Sequence, residues 1–433
     1  MYNIISFAGL FAFMAVAWAL SSNHKVVNWR AVAWGLALQF VFGFFIFIVP
    51  AGRDLFLILN KAVVKALSCA SAGTEFLFGP LALPPGTPGS IGFILAIQAL
   101  PSIIFFASLM AVLYYIGVMP WIIRGFAIVF TKLMRISGAE SLTAASNIFV
   151  GVESATAIRP YLGKMTRSEL CVVLTAGMAT IASSVMAFYV FILRKAFPTI
   201  AGHLMSASML SAPAAIIMAK LIMPETEVPV TLGKDIKPCY EKEASLTEAI
   251  INGANAGLKL VGGIIALLMA FLGLMALIDL FTTRLGVRLN MLAGLHMDWS
   301  LKGLLGYVFY PFTIAMGVPF PDAWEVSKIV GERAIVTEVK AYQDLAALLS
   351  SGRLLCPGRS ALLTVYALCG FAHIASLAIF IGGAAALAPE RTKDLASIGL
   401  RALVAATLAC LMTACIAGIF YTEGASSVLF GGR

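Results

Sequence analysis

The sequence predicts an all-α polytopic membrane protein built around a duplicated unit with interrupted helices. Three observations predict it. The chain has 433 residues, 61% of them hydrophobic and 12% charged, with a mean hydropathy of +0.96. A soluble domain is nearer half apolar and a quarter charged. Two carboxylates stand in apolar stretches: Glu153 in NIFVGVESATAIRPYLGKM, between a Gly and an Arg-Pro pair, and Glu338 in IVTEVKAY. Such a group costs roughly 2.5–3.5 kcal/mol at membrane depth, so it marks function and seeks a partner. Finally, GMATIAS at 177–183 recurs as GFAHIAS at 370–376, with five of seven positions identical and a separation of 193 residues. Each copy follows one of the two acids and precedes a Pro-containing stretch, SAPAA at 211–215 and LAPER at 387–391. Duplicated units with broken helices that meet at the midplane are a common plan of secondary transporters.

Taken in order, the chain opens on about 19 apolar residues with no basic start and no A-x-A site, so we expect a first span over 3–21 and not a cleaved signal. A second span covers 31–50 and stops at Pro50. Residues 51–73 mix Asp54, Lys61 and Lys65 with leucines, the pattern of an in-plane amphipathic helix. After the loop PLALPPGTPGS comes a third span, 91–117. Arg124, Lys132 and Arg135 interrupt the next apolar pattern and suggest another in-plane helix. The stretch 147–165 reads as a broken helix or hairpin tip, because non-helical backbone at depth is tolerated only inside protein or beside a wet cavity. Spans follow over 168–193 and 203–223, then the polar loop PETEVPVTLGKDIKPCYEKEAS, then a long helix over 246–282. An apolar segment, 301–317, precedes a stretch both charged and apolar. The last spans are 361–387 and 395–420. The expected organisation is scaffold and interfacial helices at 1–136, a first hairpin and repeat at 137–224, a loop and long scaffold helix at 225–300, and a second hairpin and repeat at 301–433.

The net charge of +9 is spread through loops, which points to topology and anionic lipid and not to nucleic acid. Seven Cys form no CxxC, and four His are scattered, so neither a disulfide framework nor a metal cluster is indicated. There is no HExxH, no GxSxG, no paired-Asp signature and no ATP-binding loop. An intramembrane enzyme and a primary pump are thus disfavoured.

If the two tips meet, Glu153 and Glu338 form a polar pocket in dry surroundings, able to accept hydrogen bonds from hydroxyls. The plainer alternative is local ion pairing, Glu338 with Lys340 and Glu153 with Arg159. His373 replaces Thr180 in the second copy of the repeat and is a candidate proton carrier. Ser376 lies three residues on, along the same helical face. Asn147 and Thr180 offer oxygen ligands to a hard cation. The small residues of both copies let backbones approach closely, or let the helix unwind.

With these motifs in hand, the chain resembles the concentrative nucleoside transporter family over about 91–420. The resemblance is carried by NIFVGVES…RPYL, MTRSELCVVLTAGMATIA, ASMLSAPAAIIMAKLIMPETE, YPFTIAMGVP, TEVKAY and ALCGFAHIASLAIFIGG. It implies about eight transmembrane helices plus two re-entrant hairpins in an inverted repeat, assembled as a homotrimer, while the economy of a 433-residue chain suits a cell inner membrane. By the same resemblance the tips lie at Gly151-Val152-Glu153 and at Thr337-Glu338. Glu338, His373 and Ser376, with Phe371 beside them, fall at ribose-contacting positions, and Val185 falls at a position lining the base pocket. Asn147, Val150, Thr180 and Ile181 fall at the family's sodium site. The chain departs from the family in three places. Its first tip is one residue shorter and lacks a Gln-Thr pair, Thr337 stands where the family has Asn, and His373 stands where it has a ribose-contacting Asn. The function implied is symport of nucleosides, coupled to Na+ or H+, with no other cofactor. Transport of another small polar solute, or a non-transporting gate-like role, remain as alternatives.

Overall fold

The computed structural model describes residues 1–84, 86–239, 243–294 and 296–422, and among them every regular element is helical. α1 (Tyr2–Ala19) and α2 (Trp29–Phe47) are the first two spans. Asn28 caps α2 by accepting from the Ala31 N–H at 3.1 Å. α3 (Pro50–Phe78) begins on a proline, where a missing N–H is harmless. We expected an in-plane helix here. Instead Pro50–Ala82 has the length and hydropathy of a span. α4 (Leu95–Gln98) leads into α5 (Pro101–Tyr115), the third expected span, and α6 (Val118–Met134) follows.

The first hairpin is α7 (Gly138–Asn147), a turn, a 3-10 turn over Val152–Ile158, and α8 (Arg159–Leu162). The next span is two helices, α9 (Arg167–Ala179) and α10 (Ser183–Leu193). α11 (Ile200–Ile222) lies in the middle of the molecule and is almost wholly buried. α12 (Leu246–Ala293) continues past the expected end at 282 to 48 residues, about 70 Å of helix. α13 (Leu301–Ala315) comes before the second hairpin, α14 (Phe320–Ile335) and α15 (Glu338–Ser350). The expected span at 361–387 is also two helices, α16 (Pro357–Leu368) and α17 (Ile374–Leu387), and α18 (Thr392–Phe420) closes the bundle. Eight described segments are long and apolar enough to cross a membrane. α3 and the broken pair α9–α10 are among them, and α16–α17 is not.

Both breaks fall on the repeated heptapeptide, and they touch. A Cβ on Gly370 would stand 2.8 Å from the Met178 carbonyl oxygen and 2.7 Å from the Cys410 sulfur, and one on Gly177 would overlap the Phe380 ring. Gly370 has φ +151°, a region L residues avoid. Only glycine permits this crossing. Helix ends at depth need partners for their free carbonyls. The Cys410 thiol of α18 donates to the carbonyls of Cys369 (3.2 Å) and Ala179 (3.8 Å), one at each break. The fully buried Arg333 donates to the Ala367 carbonyl at 2.6 Å. A cation there also opposes the negative end of α16.

The hairpins are rooted by buried polar clasps. Ser137 with Glu140 and Thr166 with Glu169 form capping boxes at the starts of α7 and α9. Lys220, near the end of α11, reaches between them. Its Nζ lies 2.5 Å from Glu140 Oε1 and 3.3 Å from Glu225 Oε2, and donates to Ser168 Oγ at 3.0 Å. In the second unit, Asp322 of α14 accepts from the Leu355 and Cys356 N–H groups and from Ser360 Oγ at 2.6 Å.

Candidate functional site

A cavity of about 510 Å³ lies where the two hairpin tips and the two helix breaks converge. One wall carries Gly151 and Glu153 from the first tip, Val185 from α10, Thr337 and Glu338 from the second tip, and Phe371, His373 and Ser376 from the second break. The opposite wall is α5 and α12. These two helices pack closely because Gly253 and Gly257 face the backbone of Ser108 and Ile104, a small-xxx-small contact.

Glu338 opens α15, buried, with a neighbour at each of its oxygens. The Tyr189 hydroxyl of α10 donates to Oε1 at 2.5 Å. His373 Nε2 lies 2.9 Å from Oε2. His373 is also the N-cap of α17: the Ser376 N–H donates to its Nδ1 at 3.2 Å, and Ser376 Oγ donates to the His373 carbonyl at 2.7 Å. With Nδ1 taken up by a backbone N–H, the Nε2 side of the ring is the one that faces Glu338. One carboxylate therefore ties the second tip to both broken spans. The local pairing expected of Glu338 with Lys340 does not form, since Lys340 pairs with Asp344.

Glu153, by contrast, is exposed on the cavity side of the first tip. Val152 lies between it and Gly151 at the start of the 3-10 turn, and its side chain is outside the described set. Of the four positions implied for a cation, Val150 lines the cavity, while Asn147, Thr180 and Ile181 are buried nearby. Asn147 Oδ1 accepts from Ser154 Oγ at 3.0 Å, and Thr180 Oγ1 donates to the Ala176 carbonyl at 2.8 Å. The Ser183 N–H donates to the Phe149 carbonyl at 2.8 Å and pins the first tip to the first break.

Sequence reasoning missed three polar residues here, Tyr189, Asn252 and Lys259. Tyr189 stood unremarked in an apolar run, although a buried phenol ordinarily needs a partner. Thr337, expected at the second tip, is 5% exposed, lines the cavity, and its hydroxyl has no partner among the described residues. Asn252 and Lys259 bring polarity to the α12 wall. A lysine inside a long apolar helix was the available signal.

Comparison with known proteins gives a consistent picture. Family models described as Na+ dependent nucleoside transporter N-terminus and C-terminus match residues 8–81 and 203–418, and one described as nucleoside recognition matches 96–196. Solute carrier family 28 member 3 of Mus musculus is 37% identical over 430 residues, covering 96% of this chain and 59% of the relative. Sodium/nucleoside cotransporter 1 of Rattus norvegicus is 37% identical over 432 residues, 97% of this chain and 64% of the relative. The chain thus spans about 60% of the length of these curated relatives. A protein of Haemophilus influenzae named as a transporter is 37% identical across 98% of this chain and 99% of its own. Among solved structures, CNTnw in an inward-facing substrate-bound state has a TM-score of 0.87 at 35% identity, covering 98% of this chain and 99% of that one. A doubly substituted CNTnw in an outward-facing state has a TM-score of 0.87 at 33% identity over 100% of both chains.

Proposed function

The chain belongs to the concentrative, Na+-dependent nucleoside transporter family, and from that membership we propose that it is a secondary active symporter carrying nucleosides into the cell. The driving gradient is Na+ or H+, and the hairpin units move against the α5–α12 wall in alternating access. The observation that carries this reading is the Glu338 site: a buried carboxylate with His373 and Ser376 on one wall of a cavity of about 510 Å³. That volume suits a small polar ligand. Glu338, His373 and Ser376 take the sugar hydroxyls, with Phe371 against the sugar, while Gly151, Val152, Glu153 and Val185 border the base. Asn147, Val150, Thr180 and Ile181 hold the cation, for which oxygen donors are the fitting chemistry. We also propose a homotrimer in the inner membrane, with 137–224 and 301–433 as the moving units. Inward- and outward-facing forms of CNTnw, similar over nearly the whole chain, support the alternating motion. The shortened first tip and His373 favour, as a second reading, another small polar solute at the same subsite.

Thermal unfolding of the detergent-solubilised protein against nucleosides, nucleobases and sugars, with and without Na+ and at two pH values, tests the assignment. A solute at a hundred times its Kd adds about 2.7 kcal/mol. A nucleoside shift that vanishes in Glu338→Gln is expected. No shift with any nucleoside, in folded oligomeric protein, contradicts it.

A further inference from the structure

We propose that Tyr189 is the positioning residue of the sugar subsite: its phenol holds the Glu338 carboxylate, against His373, in the orientation that receives solute hydroxyls. This rests on the nucleoside reading above.

Tyr189 does not line the cavity, so it acts through Glu338. The 2.5 Å separation between its hydroxyl and Oε1 is the short length of an O–H donor on a carboxylate. The ring is fully buried and leans on Tyr342, centroid to centroid 4.5 Å, so the donor has little freedom to swing. Tyr342 spends its own hydroxyl elsewhere, on the Val365 carbonyl at 3.4 Å, and leaves Glu338 to Tyr189.

The arrangement follows from the fold. Glu338 sits at the first position of α15, so its side chain has no regular helical turn before it to lean against. Left alone, a Glu would sample several rotamers, and fixing them at binding would weaken affinity. The Tyr189 hydroxyl from α10 and the His373 ring, 2.9 Å from Oε2 at the start of α17, remove that freedom beforehand. Each carboxylate oxygen keeps a further lone pair for a solute hydroxyl. The two partners also come from the two broken spans, so the second tip is referenced to both at one carboxylate. A shift of either span relative to the tip would release the carboxylate.

The test reads binding of uridine and of its 2′-deoxy and 3′-deoxy forms to purified protein. In the wild type, at least one deoxy form is expected to bind more weakly than uridine. Tyr189→Phe is expected to weaken uridine roughly three- to tenfold while changing that deoxy form little, so the ratio collapses. Tyr189→4-aminophenylalanine, which returns an N–H donor on the same ring, should restore the ratio and serves if the Phe variant does not fold. Tyr342→Phe should leave it unchanged. A Tyr189→Phe protein that weakens all three solutes equally has lost structure and not positioning, and that result overturns the proposal. No binding of any nucleoside by the wild type overturns the nucleoside reading, and the positioning role with it.

Discussion

The chemistry of this protein is concentrated in a few side chains whose partners come from distant parts of the sequence. Glu338 was conspicuous as an acid in an apolar stretch, and His373 was conspicuous as the odd residue of a repeat. Their contact at 2.9 Å was not legible, because it depends on how two breaks cross. Thr337 makes a sharper point. A buried hydroxyl without a partner costs about 1–3 kcal/mol relative to a satisfied one. Thr337→Val has nearly the same shape and removes that hydroxyl. Its solute-free melting temperature should equal or exceed that of the wild type, and a clear fall would mean that the hydroxyl has a structural partner.

At the scale of elements, the repeated heptapeptide was the most informative stretch. Its small residues predicted either close approach or unwinding, and the structure shows both, at Thr180–Ala182 and Cys369–His373. Other elements were less legible. Asp54, Lys61 and Lys65 read as an in-plane helix, yet they sit on a helix long and apolar enough to span. Charge spacing along one helix does not say how deep it lies, which its neighbours decide. The hairpin roots were also hidden, since Lys220 and Glu140 are 80 residues apart. With both side chains at most 2% exposed, removing one leaves a buried charge unpaired. Lys220→Met is expected to lower unfolding stability by about 3–5 kcal/mol, and Lys220→Met with Glu140→Gln should recover part of it. Chemical unfolding of the two variants in detergent checks this. A loss under about 1 kcal/mol in the single variant would show that the clasp is not holding the first hairpin.

Across the whole molecule, a buried half and an open half divide the work. α9, α10, α11 and most of α18 are enclosed, while almost none of the long apolar face of α12 is covered within one chain. The cavity lies on the seam, with repeats on one side and α5 and α12 on the other. In the proposed mechanism the seam is where motion occurs, and the gradient enters through the first tip and first break. Uptake of radiolabelled uridine into sealed proteoliposomes measures this most directly. With an inward Na+ gradient or, in its absence, an inward proton gradient, the account predicts accumulation above equilibrium that one of the two gradients drives and that Glu338→Gln abolishes. Equal uptake with and without both gradients, or accumulation that survives Glu338→Gln, would contradict it.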